Sequence, residues 1–255
     1  MRALVTGGSG FLGRYIVERL LSRGDSVLVI GRGDYPDLQK IGAETRKVNL
    51  LDGEGLKNAC SGVDTVFHVE AKVGLWGPWK DFYQTNVVVT KNVIDACISR
   101  GVQRLVYTST PSVIVRDYDL CHANEDLSYP QGYRSYYPAT KAIAEQMVLA
   151  ANGAFGLATA SLRPHLLWGP RDSHLVPQIL ERARLGKLVV VGEGKNKVDF
   201  TYVENAADAH ILAANNLSPQ SAVGGQAYFI AQGEPVSLWG FVSELLDRFG
   251  IERPK

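Results

Sequence analysis

The stretch TGGSGFLG (Thr6–Gly13) stands almost at the start of the chain and constrains the fold more than any other feature. It follows a short apolar run, Ala3–Thr6, and leads into Gly10–Ser22, whose apolar residues recur with helical spacing. Glycines at 7, 10 and 13 let the backbone turn sharply between strand and helix and leave the turn open to close approach. The N–H groups at the start of such a helix carry partial positive charge and suit a pyrophosphate. A strand, a glycine turn and a helix in this order predict the first unit of a parallel sheet with a phosphate cradle.

The pattern repeats. Ser26–Ile30, Thr65–Val69 and Leu105–Thr108 are short runs rich in Val, Leu or Ile and bounded by glycine or polar residues, which predicts buried parallel strands. Gly53–Cys60, Phe82–Arg100 and Tyr137–Asn152 read as helices between them. The fold class is therefore α/β, a doubly wound parallel sheet with right-handed crossovers. Beyond residue 160 the alternation loosens. SLRPHLLWGP begins with a strand, HLVPQILERARLG is helical, LVVVGEG and AYFIA read as strands, and VENAADAHILAANN and SLWGFVSELLDRFG as helices. The expected division is a nucleotide-binding domain over 1–160 and a smaller substrate-binding region over 161–255, interleaved with the core and meeting it at a closely packed cleft.

The chain has 255 residues, is 45% hydrophobic and 21% charged, and carries a formal net charge of +1. This balance offers no electrostatic case for nucleic acid or an anionic membrane. No apolar run approaches the roughly 20 residues of a membrane span. Cys60, Cys97 and Cys121 are widely spaced and suggest neither a disulfide framework nor a zinc site. His68, His122, His165, His174 and His210 lack ligand spacing, so no metal is expected. Met1–Arg2 runs straight into ALVTGG without a leader, and the expected setting is cytoplasmic.

The end of the second predicted strand bears on the nucleotide. An acidic side chain there accepts hydrogen bonds from the adenosine ribose of NAD. This chain has Gly31–Arg32, with no carboxylate to repel a 2′-phosphate and a guanidinium able to fork onto it, so NADP(H) is expected over NAD.

SYYPATK (residues 135–141) holds two tyrosines and a lysine. At about 100° per residue, Tyr137 and Lys141 stand roughly 40° apart on a helix, and Tyr136 and Lys141 roughly 140°. Only Tyr137 shares a face with Lys141. An ammonium about 4 Å from a phenol contributes about 4 kcal/mol at an effective dielectric near 20, enough to lower a tyrosine pKa of about 10 toward neutrality.

The glycine cradle, VFHVEA, FYQTNVVVTKNVIDAC, YTSTPSV, YYPATK and LRPHLLWGP occur in an order that resembles the extended short-chain dehydrogenase/reductase family over essentially the whole chain. VDFTYVENAADAH is similar to its 3β-hydroxysteroid dehydrogenase-like branch, and AKVGLWG, LRPHLLWGP and GEPVSLW resemble bacterial reductases of 2-alkyl-3-oxo fatty acids within it. The resemblance implies a Rossmann domain and an oxidoreductase that interconverts a 3-oxo and a 3-hydroxy group on a hydrophobic acid or sterol-like substrate. It implies Tyr137 as general acid, Lys141 as its partner and holder of the cofactor ribose, and Thr110 as the hydroxyl that bonds the substrate carbonyl. Gly7, Gly10, Phe11, Leu12, Gly13, Arg32, Asn49, Leu50, Pro164 and Leu166 complete the expected cofactor site, and Asn86 is expected to be structural. The family often dimerises, here through Phe82–Arg100 and Tyr137–Asn152.

The loop Ala71–Trp79 follows a strand that ends near the cofactor. Lys72 is a candidate for a substrate carboxylate and Trp76 for an acyl chain, with His174 and Arg171 as further pocket candidates. Glu70 replaces a usual alanine, and Asn49 replaces an aspartate that meets the adenine. Many members of the family run well beyond 255 residues, so a further C-terminal segment over the substrate cleft is expected. Two other functions compete. A nucleotide-sugar epimerase or dehydratase is opposed by Val198, where an arginine usually grips the diphosphate, and by Pro111–Ser112, where dehydratases carry Asp-Glu. A non-catalytic NADP-sensing regulator is opposed by the presence of both Tyr137 and Lys141.

Overall fold

Successive residues of a strand point to opposite faces, and along the central strands almost all are apolar, so both faces must be covered. Leu4, Leu28, Val66 and Leu105 enter one buried cluster, while Ala3, Val5, Val27, Val29 and Val106 enter another on the far side of the sheet. The computed structural model describes residues 1–74 and 76–254; Leu75 of the AKVGLWG loop lies outside the described residues.

The strands are β1 (Arg2–Thr6), β2 (Ser26–Gly31), β3 (Glu44–Lys47), β4 (Thr65–His68), β5 (Arg104–Thr108), β6 (Ala158–Pro164), β7 (Leu166–Trp168), β8 (Lys197–Val198), β9 (Phe200–Tyr202), β10 (Gln226–Ile230) and β11 (Val236–Ser237). The helices are α1 (Phe11–Ser22), α2 (Pro36–Lys40), α3 (Gly53–Ala59), α4 (Trp79–Phe82), α5 (Val89–Arg100), α6 (Tyr136–Ala150), α7 (Leu175–Arg184), α8 (Val203–Asn216) and α9 (Leu238–Arg248). Seven strands form one sheet in the order β10-β6-β5-β4-β1-β2-β3, every neighbouring pair parallel. Helices α1 and α8 cover one face and α3, α5 and α6 the other. The chain reverses its direction of travel across the sheet at β1, between β2 and β4, and the crevice beyond the carboxyl ends of β1 and β4 is where such sheets bind ligands.

Residue 160 falls inside β6, and the 161–255 stretch returns α8 and β10 to the main sheet layers. Arg19 of α1 bonds Glu204 and Asp208 of α8 at 2.7 and 2.8 Å. Helices α7 and α9 gather instead around Leu180, Val242 and Leu246, beside the small ladders β7–β9 and β8–β11.

Two expectations need correction. Phe82–Arg100 is not one regular helix: a π-helical stretch, Tyr83–Val88, separates α4 from α5. LVVVGEG is not a strand. Val189 and Val191 are 66% and 79% exposed, and Gly192 and Gly194 take positive φ. β-branched residues favour strands only where a neighbouring strand gives them a surface to pack on, and this segment has none. Conversely, the polar edge strand β3, ETRK, carries no apolar signal and is held by its parallel pairing to β2.

The turn between β1 and α1 tolerates no side chain at residue 13. A Cβ there would stand 2.1 Å from the Gly7 carbonyl oxygen. Gly13→Ala is expected to lower the thermal unfolding midpoint, with overpacking of this kind costing about 1–3 kcal/mol.

Candidate active site

The cradle is built by close backbone contact. Gly7 has φ +66°, and a Cβ there would lie 2.8 Å from the amide nitrogen of Glu70, in the chain leaving β4. Gly10 caps α1 in an extended conformation with no side-chain cap, and the first turn holds no acidic residue. The amides of that turn are thus left for an anion. Phe11 and Leu12 open the helix: Leu12 is buried in the α1–α8 layer, and the Phe11 ring meets Tyr15 edge-on at 6.2 Å. Arg32 is exposed just beyond β2 and has no hydrogen-bond or ion-pair partner among the described residues. Asn49 Oδ1 accepts from Leu51 N at 3.1 Å, and the Leu50 side chain is buried in the α3–α5 layer. A glycine-rich turn, an uncapped helix start and an unpaired guanidinium together fit a dinucleotide.

Thr110, Tyr137 and Lys141 converge at the carboxyl end of β5. Helix α6 starts at Tyr136 with Pro138 in its first turn, where the missing N–H costs nothing. Tyr137 and Lys141 follow one turn apart. Lys141 is 1% exposed, and its Nζ donates to the Thr108 carbonyl at 2.6 Å and lies 4.1 Å above the Tyr107 ring. Burial pulls its pKa down to about 7, against the pull of Glu145. Burial raises the Tyr137 phenol above its ordinary value, and the Thr110 hydroxyl partly offsets this. The lysine is not a cause of that shift, so the expected depression of the tyrosine is not a property of the protein alone. Thr110 Oγ1 lies 3.0 Å from Ser112 Oγ and accepts from Ser112 N, whereas the buried Ser109 Oγ has no hydrogen-bond partner among the described residues.

A buried chain of hydrogen bonds ties this helix to the cradle. Thr90 Oγ1 donates to the Asn86 carbonyl at 2.7 Å, so it accepts from His68 Nε2 at 2.9 Å. His68 Nδ1 therefore accepts from Thr6 Oγ1 at 2.7 Å, and Thr6 in turn accepts from the amides of Val69 and Glu70. Burial first, and then the charge of Lys141, push the His68 pKa down to about 3, so the ring is neutral. Asn86, in the π-helical stretch, accepts from Lys72 N at 2.8 Å and donates to Lys72 O and to Thr140 Oγ1, the residue before Lys141. Behind the site, Thr108 Oγ1 donates to His210 Nε2, because His210 Nδ1 is committed to the Ala206 carbonyl.

Sequence reasoning missed Glu145, which stands one turn after Lys141 on the same face; helical spacing alone had the information. Its carboxylate is fully buried and accepts a fork from Arg163 of β6, with Tyr129 and Ser161 each at 2.7 Å. Burial pushes this carboxyl up, but Arg163 and the other donors outweigh it and hold the pKa below the usual range.

The outlying candidates do not join the cluster. Lys72 Nζ lies 3.6 Å from Asp81 and 5.4 Å from the Phe82 ring centre, and Trp76 is 90% exposed. His174 is exposed at the start of α7. Arg171 is engaged elsewhere, forked onto Glu18 and stacked 4.0 Å over Tyr15. Pro164 ends β6 beside β5, and Leu166 opens β7, 40% exposed.

The folded protein releases the Lys141 proton near pH 7, whereas an exposed lysine holds it to about pH 10.4. Between these values the unfolded chain binds the extra proton, so burial of Lys141 costs stability below pH 7 and the cost fades as pH rises. In cofactor-free urea denaturation, the parent is expected to gain stability relative to Lys141→Met between pH 7 and 10.

The model of the 3-beta hydroxysteroid dehydrogenase/isomerase family matches residues 4–255. A 2-alkyl-3-oxoalkanoate reductase of Stenotrophomonas maltophilia is 49% identical over 99% of this chain and 77% of its own length. A human sterol-4-alpha-carboxylate 3-dehydrogenase, decarboxylating, is 42% identical over 100% of this chain and 68% of its own. Among solved structures, a Thermus thermophilus UDP-glucose 4-epimerase in complex with NAD superposes with a TM-score of 0.80 at 29% identity, covering 100% of this chain and 85% of that one. The chain belongs to the 3-beta hydroxysteroid dehydrogenase/isomerase family, within the extended short-chain dehydrogenases/reductases, and is an NAD(P)-dependent oxidoreductase.

Proposed function

We propose that the enzyme uses NADP(H) to interconvert a 3-oxo and a 3-hydroxy group on a hydrophobic acid of the 2-alkyl-3-oxoalkanoate kind, with a sterol-like acid as the nearest relative in chemistry. The observation that carries this reading is the meeting of Tyr137, Thr110 and buried Lys141 at the end of β5, bonded through Asn86 and His68 to the glycine cradle. The bound dinucleotide supplies the hydride. The Tyr137 phenol, held in its protonated form by burial, donates its proton to the carbonyl oxygen as that oxygen gains charge. The Thr110 hydroxyl bonds the same oxygen, an interaction stronger in the transition state than in the ground state. Lys141 holds ribose hydroxyls and steadies the phenolate left on Tyr137.

The names of the two relatives share one chemical feature. Each substrate carries a carboxylate on the carbon next to the one that is oxidised or reduced. That supports a β-keto or β-hydroxy acid here, with Lys72, now 3.6 Å from Asp81, as the candidate cation for its carboxylate. Val198, paired with Val236, offers no clamp for the diphosphate of a nucleotide sugar. The same reading makes the enzyme cytoplasmic and a homodimer through the α5 and α6 helices.

Tyr137→Phe is expected to lower kcat/KM for ketone reduction by about 10²–10⁴-fold while NADPH still binds; equal rates would remove Tyr137 as the acid. Arg32→Ala is expected to weaken NADPH about tenfold or more and leave NADH nearly unchanged, as measured by fluorescence titration. In a panel of 3-oxo acids, keto-steroids and nucleotide sugars, 2-alkyl-3-oxo acids are expected to turn over fastest and nucleotide sugars not at all.

A further inference from the structure

Two opposite charges flank the glycine turn, and neither has a side-chain partner among the described residues. Arg32 stands beyond β2 and Glu70 beyond β4, with β1 and Gly7 between them. Neither side chain forms a hydrogen bond or an ion pair with any described residue, and the two do not pair with each other. The backbone of Glu70 is held firmly: its N–H reaches Thr6 Oγ1 at 3.3 Å and lies 2.8 Å from where a Cβ on Gly7 would be. Its side chain therefore starts from a fixed point beside the cradle, and the residue is half-buried. Burial raises its pKa, and the charge of Arg32 reaches it strongly enough to oppose this.

A half-buried carboxylate with no protein donor keeps only part of its hydration and gains from a donor that a bound ligand brings. Pyrophosphate oxygens only accept hydrogen bonds and are negatively charged, so they cannot relieve it. Ribose hydroxyls donate. In sheets of this kind the end of β2 faces the adenosine ribose, where an acidic residue takes a hydroxyl or an arginine takes a 2′-phosphate. Arg32 leaves the hydroxyl of that ribose without its usual acidic partner, and Glu70 stands within reach of the field of Arg32 from the opposite side of the turn.

We propose that Glu70 accepts a hydrogen bond from the adenosine ribose of the bound dinucleotide, dividing the recognition with Arg32, which takes the phosphate. Glu70 is then a cofactor-affinity residue supplied by β4 rather than β2. The inference rests on the dinucleotide reading of the cradle.

The test measures dissociation constants without turnover, by fluorescence titration of NADPH and by calorimetry of 2′,5′-ADP, which carries the adenosine ribose but no nicotinamide. Thermal unfolding of each variant checks its fold. Glu70→Ala is expected to weaken both nucleotides about tenfold, the lower end for a hydrogen bond to a charged group. Glu70→Gln keeps a neutral acceptor and is expected to lose about threefold. Unchanged or tighter binding by Glu70→Ala overturns the proposal, since the carboxylate then only repels phosphate. A loss seen with NADPH but not with 2′,5′-ADP overturns the adenosine assignment. If parental NADPH affinity falls between pH 6 and 8 while that of Glu70→Gln holds, a protonated Glu70 is donating to phosphate, and the proposal fails. Failure of the parent to bind either nucleotide would overturn the dinucleotide reading itself, a result distinct from the others.

Discussion

The buried hydrogen bond between Thr6 Oγ1 and His68 Nδ1, 2.7 Å long, joins the two strands between which the chain changes direction across the sheet. Ligand crevices in open α/β sheets form at that point because the connections leave β1 and β4 toward opposite faces. The Thr90–Asn86 bond settles the tautomer of His68, and the same chain reaches α6 through Asn86 and Thr140. Each donor in the chain has one acceptor, so no member can turn without leaving a buried polar group unpaired, at a cost of about 1–3 kcal/mol. The cradle and Tyr137 are thereby parts of one rigid unit, although they come from distant stretches of the sequence.

Against that frame sit three buried charges. Glu145 and Arg163 neutralise each other across α6 and β6, and a pair of this kind contributes little net stability, yet losing one member costs about 3–5 kcal/mol. Its value to the site is positional. Glu145 is one turn from Lys141, and its negative charge favours the ammonium that burial disfavours. In a dry environment, where a unit charge acts several-fold more strongly than in water, that balance sets how readily Lys141 keeps its proton.

Much of the site was legible because its signals are local. The separation of Tyr137 from Lys141 is a helical period, and the glycines at 7, 10 and 13 act through neighbouring backbone. The four central strands were legible because burial on both faces makes them uniformly apolar. Where the reading failed, the deciding partner was distant. LVVVGEG has the composition of a strand and no strand to pair with. Arg171 has the look of a pocket residue and is held by Glu18 and Tyr15 of α1. The depression of the Tyr137 phenol rested on the lysine charge alone, and burial, which only the closed sheet creates, raises the phenol instead.

The sequence by itself determined the α/β alternation, the cradle and which tyrosine shares a face with the lysine, because each depends on residues within a turn or two of one another. Tertiary structure alone decided the protonation of Lys141, the tautomers of His68 and His210, the Glu145–Arg163 pair and the unpaired charges of Arg32 and Glu70. Those depend on desolvation and on contacts between strands far apart in the chain, and both appear only once the sheet has closed around them.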